Sequence, residues 1–216
     1  MRFNDLAIYL MPLFALLACT NNTPANVRNS PTVTYVYECP GNFAFIARTQ
    51  NNSVWLFLPT GTLHLPLTTS LSGEKYSKQN KLFGIRNNEA QLITESGEHY
   101  NCKNNRQKAI WEHAKLNGVG FRGTGNEPPW VIEISQNKLN FIQGYNQKQH
   151  TFTKLKISTN LNRHSLIYRA NKADNVIKAT LVSKPCNDTM SDNTFETTIS
   201  IIFNKQHYNG CGKSLH

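Results

Sequence analysis

The chain has 216 residues, 39% of them hydrophobic, and a formal net charge of +10 at pH 7. It is longer than one small β-domain, and no repeat of fixed period runs through it, which argues against solenoids and propellers. The positive balance is uneven, with six bases and four acids over residues 39–103 and fifteen and seven over residues 104–216. Such a basic half suits either solubility near an anionic surface or a face for lipid headgroups and other polyanions. No groove-reading or stacking motif points to nucleic acid as a partner.

The first element is an apolar run over residues 6–18 with Pro12 inside it. It is shorter than the roughly 20 residues of a membrane helix and has the length of an export-signal core. It closes on Leu16-Leu17-Ala18-Cys19, which resembles the lipobox of a bacterial lipoprotein signal peptide. The resemblance implies a signal peptide over residues 1–19 and acylation of Cys19, with two or three acyl chains holding the protein to a membrane. Residues 20–32 are polar and proline-punctuated, and read as a tether. Thr20, rather than Asp, favours the outer membrane of a Gram-negative envelope, with the protein facing the periplasm.

Setting Cys19 aside leaves Cys39, Cys102, Cys186 and Cys211. An even number in an exported chain points to disulfides, and four cysteines allow three pairings. Cys39–Cys102 with Cys186–Cys211 is the expected set, because each pair brackets one of two strand-rich regions. No pair has C-x-x-C spacing, so a zinc site is not expected.

The first region, residues 33–103, contains short β-branched and aromatic runs at 32–39, 43–48, 53–58, 62–67, 81–85 and 90–94. Strands spaced about ten residues apart suggest an antiparallel sandwich or barrel. Residues 106–116 form the one convincing helix, with Ile110, Ala114 and Trp111 at helical spacing, and connect the regions across residues 104–117. Strands return over residues 118–216, at 130–135, 138–142, 151–157, 165–170, 176–183, 197–203 and 205–208. The expected fold class is all-β, mainly antiparallel, with two domains.

Within residues 70–102 stand Ser72-Gly73-Glu74-Lys75-Tyr76, Phe83, Arg86, Glu89-Ala90 and Cys102, and upstream Tyr37-Glu38-Cys39. This pattern resembles the membrane-bound lysozyme inhibitors of c-type lysozyme, over about residues 35–103. The resemblance implies a small eight-stranded β-barrel and a protein partner, c-type lysozyme, blocked by a loop inserted into its cleft. Ser72 and Arg86 would reach the two catalytic carboxylates, and Gly73 and Tyr76 complete the lysozyme-binding set that the resemblance implies. A glycosidase of this kind flanks its sugar with two carboxyl groups. A hydroxyl and a cation between them satisfy both, and charge-assisted bonds are the stronger kind.

The chain departs from that pattern in several places. Arg86 stands where Lys is usual, Gly84 where Trp is usual, Lys78-Gln79 where an Asp-Gly turn is usual, and Glu74 where a small residue is usual. Arg grips a carboxylate bidentately but is bulkier in a cleft. Lys75, Lys78 and Lys81 would oppose the approach of a basic enzyme. Taken singly, Ser72-Gly73 is an ordinary turn pair, Arg86 a solvated base, and Tyr76 and Phe83 core residues; the joint spacing lifts them above that.

The second region contains GTGNEPPW at 123–130, CNDTMSDNTF at 186–195 and NGCGKSL at 209–215. These resemble an uncharacterised domain of Gram-negative exported lipoproteins with a Gly-Asn-Glu-Pro-x-Trp motif, over about residues 115–215. Asn126, Glu127, Trp130 and Asp188 are its motif residues, read either as turn chemistry or as the rim of a ligand site. Pro128-Pro129 enforces an extended approach to the strand at Trp130. Glu127 and Asp188 are a conceivable carboxylate pair, and seven histidines are scattered singly. No nucleophile elbow, metal motif or phosphate loop accompanies them, so neither catalysis nor a cofactor is expected.

Overall fold

The computed structural model describes residues 31–70, 73–188 and 193–216. Cys19, the expected signal peptide, most of the tether and Ser72 therefore lie outside the described residues. The described chain is mostly antiparallel strand with one helix, as its sequence pattern predicts.

Eight strands make a closed barrel in simple meander order: β1 (Val33–Cys39), β2 (Phe43–Gln50), β3 (Ser53–Leu58), β4 (Gly61–Thr68), β5 (Glu74–Lys78), β6 (Lys81–Arg86), β7 (Glu89–Thr94) and β8 (Gly97–Asn104). Closure comes from β1 against β8, with Tyr37 opposite Asn104 and Glu38 opposite Lys103. Closing the sheet removes its edges, which would otherwise invite pairing with other chains. β5 and β8 escape the propensity pattern because EKYSK and GEHYNCKN are rich in charged and polar residues. Their inward positions are apolar all the same: Tyr76 in β5 and Cys102 in β8 are both in the core.

That core is built from alternate residues, among them Tyr37, Phe45, Leu56, Leu65, Phe83 and Leu92. The Cys39–Cys102 disulfide closes the barrel beside it. β1 is buried on both faces at its centre, because Thr34 and Val36 on the outer side lie under the helix α1 (Arg106–Leu116).

Asn105 caps α1 by accepting a hydrogen bond from the Lys108 backbone N–H. Gly118, with φ +77°, ends it, and the Gly118 and Val119 N–H groups donate to Lys115 and Ala114 carbonyls. The buried residues are Ala109 and Ala114, while Ile110 is 52% exposed, contrary to its expected place on the packed face. The reason is that α1 is wedged between two bodies. One side meets β1, where Thr34 Oγ1 and His113 Nδ1 are 3.0 Å apart; the other gathers Ala114, Val119, Leu215 and Trp111.

The second region is a nine-stranded antiparallel sheet of β9 (Phe121–Asn126), β10 (Pro129–Ile134), β11 (Leu139–Gln143), β12 (Lys148–Phe152), β13 (Lys156–Asn160), β14 (Ser165–Lys172), β15 (Asn175–Asn187), β16 (Thr194–Phe203) and β17 (Gln206–Ser214). Their order is β12-β11-β10-β9-β17-β16-β15-β14-β13. The run at 151–157 is therefore two strands rather than one, and they form the opposite edges of the sheet. Only three residues separate Phe152 from Lys156. Four steps of at most about 3.5 Å put the edges within about 14 Å, so the sheet must curl nearly onto itself. Phe152 and Leu155 turn into the core on the way across.

Candidate functional site

The barrel residues singled out by sequence gather at one end of β5 and β6. The hairpin joining β6 to β7 is a two-residue turn, Asn87-Asn88, both with positive φ (50° and 68°), and it sets Arg86 opposite Glu89. Asparagine tolerates that conformation better than other residues with a side chain, which suits the twist of a tight hairpin. Arg86 is exposed, and no ion pair among the described residues involves it.

Gly73 has φ +81°, and a Cβ placed there would lie 2.3 Å from the Ile85 carbonyl oxygen and 3.6 Å from the Arg86 Cα. Only a residue without a side chain sits in that conformation so close to the neighbouring strand. The turn that enters β5 thus rests on the backbone of Ile85 and Arg86, and Gly73 is one position from Ser72 in sequence.

Tyr76 is 3% exposed and belongs to the core, so it braces the turn from beneath instead of presenting a contact surface. Its hydroxyl donates to Glu74 Oε2 at 2.7 Å. Burial, and then that bond to the carboxylate, hold the Tyr76 hydroxyl well above the ordinary tyrosine range. Tyr37 is raised in the same direction, chiefly by burial. The Glu74–Tyr76 pair was legible as an i, i+2 relation on one strand face; the sequence pattern singled out Glu74 only as a departure.

A cleft of about 530 Å³ runs over this surface, bounded by Glu74, Lys75, Arg86, Glu89, Gln91 and Tyr100. Its floor includes Gly84, where a Cβ would meet the Gln91 side chain at 3.2 Å. Gln91 and Tyr100 are additions that sequence reading missed, Tyr100 because β8 carries no strong strand signal. Lys81, one of the three bases opposed to a basic partner, is paired with Glu95 at 2.7 Å. Lys75 remains in the cleft wall.

The second-domain motif residues also come together. Asn126 Nδ2 donates to Asp188 Oδ1 at 2.8 Å, tying the β9–β10 hairpin to the end of β15. The hairpin is closed by Glu127-Pro128, with a cis peptide bond between them, and pairs Asn126 with Pro129. Asn126, Glu127 and Asp188 share a small cleft of about 260 Å³ with Thr124, Asn209 and Gly210.

Trp130 faces the other way and is 3% exposed. A Cβ at Gly125 would stand 2.2 Å from its indole nitrogen, and one at Gly210 would stand 2.7 Å from its six-membered ring. The glycines of GTGN and NGCG therefore make room for the indole, which explains why β9 and β17 are strands despite their composition. The Cys186–Cys211 disulfide pins the same corner. These contacts make Asn126, its acceptor Asp188 and Trp130 structural members of the motif, while Glu127 is exposed at the rim of the cleft.

Among the described residues no group of three or more His, Cys, Asp and Glu side chains is placed to hold a metal ion, and no helix is long and apolar enough to cross a membrane. Comparison with known protein families, curated proteins and solved structures finds no match to this chain, so the family resemblances rest on the residues themselves.

Proposed function

We propose that the protein is a lipid-anchored envelope protein whose barrel inhibits c-type lysozyme, with Ser72 and Arg86 directed at the enzyme's two carboxyl groups. The observation that carries this reading is the seat of Gly73 on Ile85–Arg86. It brings the turn next to Ser72 against the strand end that bears an exposed cation. A guanidinium with no ion pair among the described residues is available to a foreign carboxylate, and charge-assisted bonds of that kind are the stronger sort. The closed barrel is also the fold that the lysozyme-inhibitor resemblance implies.

Turnover of peptidoglycan by a c-type lysozyme, with and without the purified chain lacking residues 1–19, tests the reading. Stoichiometric loss of turnover is expected, and it should be abolished by Ser72→Ala combined with Arg86→Ala. Unchanged turnover at excess protein refutes inhibition.

A second reading is an envelope interaction protein that retains the barrel without the inhibition. Lys75 in the cleft wall favours it, since a cation there opposes a basic enzyme. Lys75→Gln separates the two, because it should strengthen inhibition in the first reading and do nothing in the second.

A further inference from the structure

The solvent face of the second sheet carries a row of bases remote from the clefts described above. Cross-strand register sets Lys156 of β13 opposite Arg169 of β14, and Arg169 opposite Lys178 of β15. Directly opposed residues project from the same face with Cβ atoms about 5 Å apart, and like charges so placed repel. Alternation identifies the face: Ala170 beside Arg169, and Ile177 and Ala179 on either side of Lys178, are buried. The three cations therefore point away from the core. None of the ion pairs among the described residues involves them, and Arg169 donates to the Ser158 hydroxyl at 3.0 Å.

Aliphatic side chains lie among these charges. Val176, 56% exposed, is two residues from Lys178 on the same face, and Ile202 stands directly opposite Lys178. A small anion is normally held in a concave site, whereas this is an open sheet face. Soluble polyanions would engage the cations and gain nothing from the aliphatics.

We propose that the β13–β15 face is a docking surface for an anionic bilayer. Lys156, Arg169 and Lys178 meet headgroup phosphates, whose charge offsets the repulsion along the row. Val176 and Ile202 settle at the boundary with the acyl chains. Each base held near an anionic leaflet strengthens partition by about fivefold, and buried aliphatic area adds to that.

The test partitions the full-length protein onto vesicles of phosphatidylcholine alone and of phosphatidylcholine mixed with phosphatidylglycerol. The readout is the ratio of the two partition coefficients, to which any lipid anchor contributes equally. K156Q/R169Q/K178Q should lower the ratio by on the order of 100-fold. K78Q/K103Q/R106Q makes the same change in net charge elsewhere and should leave the ratio near the parent's. Val176→Ser should weaken binding to the anionic vesicles severalfold with charge intact. Both triple variants should melt no lower than the parent, which excludes unfolding as the cause. Equal losses in the two triple variants, an unchanged ratio in the first, or unaltered binding by Val176→Ser would each overturn the proposal.

Discussion

Replacing Gly73 by alanine adds one methyl group at the point where the turn before β5 rests on β6. Two penalties follow, and a second glycine separates them. Gly41 has nearly the same backbone, φ +77° against +81° at Gly73, but a Cβ there meets nothing within 4 Å. Gly41→Ala therefore carries only the cost of a left-handed conformation in a residue with a side chain, about 1–2 kcal/mol. Gly73→Ala carries the same cost plus a collision with the Ile85 carbonyl oxygen, which is backbone and cannot rotate away.

Relieving that contact moves one strand end by about 1 Å, and overpacking of this kind costs about 1–3 kcal/mol. The difference between the two variants is thus expected to be about 1–3 kcal/mol in urea denaturation, with unchanged slopes. Because the displaced backbone is that of Arg86, Gly73→Ala should also lose lysozyme inhibition while Gly41→Ala keeps it. Equal stabilities in the two variants, or full inhibition by Gly73→Ala, would refute the reasoning.

Three further outcomes are expected. Burial, and then the Arg48 charge, hold His113 below the ordinary histidine range. The unfolded chain thus binds the proton more readily than the native one, and stability falls as pH drops below about 6.5; thermal melts of His113→Gln should show a flatter profile there than the parent. Gly210→Ala, whose Cβ would stand 2.1 Å from the Thr124 carbonyl oxygen and 2.7 Å from the buried Trp130 ring, should destabilise by about 1–3 kcal/mol, with most of the loss kept when Trp130 is already leucine; a loss that vanishes in that background would remove the backbone contact as the main cause. Replacing Cys39 and Cys102 by serine opens a cross-link spanning 63 residues and should cost about 4 kcal/mol in the chain-entropy account. The Cys186–Cys211 link spans 25 and should cost about 3.5 kcal/mol, so denaturant midpoints should shift in that order.

The local code of this chain was strong where side chains alternate and weak where glycine or charge interrupts them. VTYVYEC, SVWLFL and TFETTISIIF announce strands because β-branched and aromatic residues repeat with period two. FRGTGN conceals one, since Gly123 and Gly125 are there to admit Ile199 and Trp130 from elsewhere in the sheet. The candidate site was legible as residue types at a spacing, Ser72-Gly73 with Arg86. The Gln91 and Tyr100 walls were not, because the register of β7 and β8 brings them to the cleft.

By itself, then, the sequence determined the all-β class, the helix between residues 106 and 116, and a cysteine pairing that the structure bears out. Those features follow from periodicity and from cysteines bracketing strand-rich regions, both of which can be read along the chain. Periodicity left sandwich or barrel open, and the family resemblance implied the eight-stranded barrel; tertiary structure alone decided that residues 151–157 split between opposite sheet edges and that Lys156, Arg169 and Lys178 stand in one row. Each of these depends on register between strands distant in the chain, and register is set by which side chains share a core.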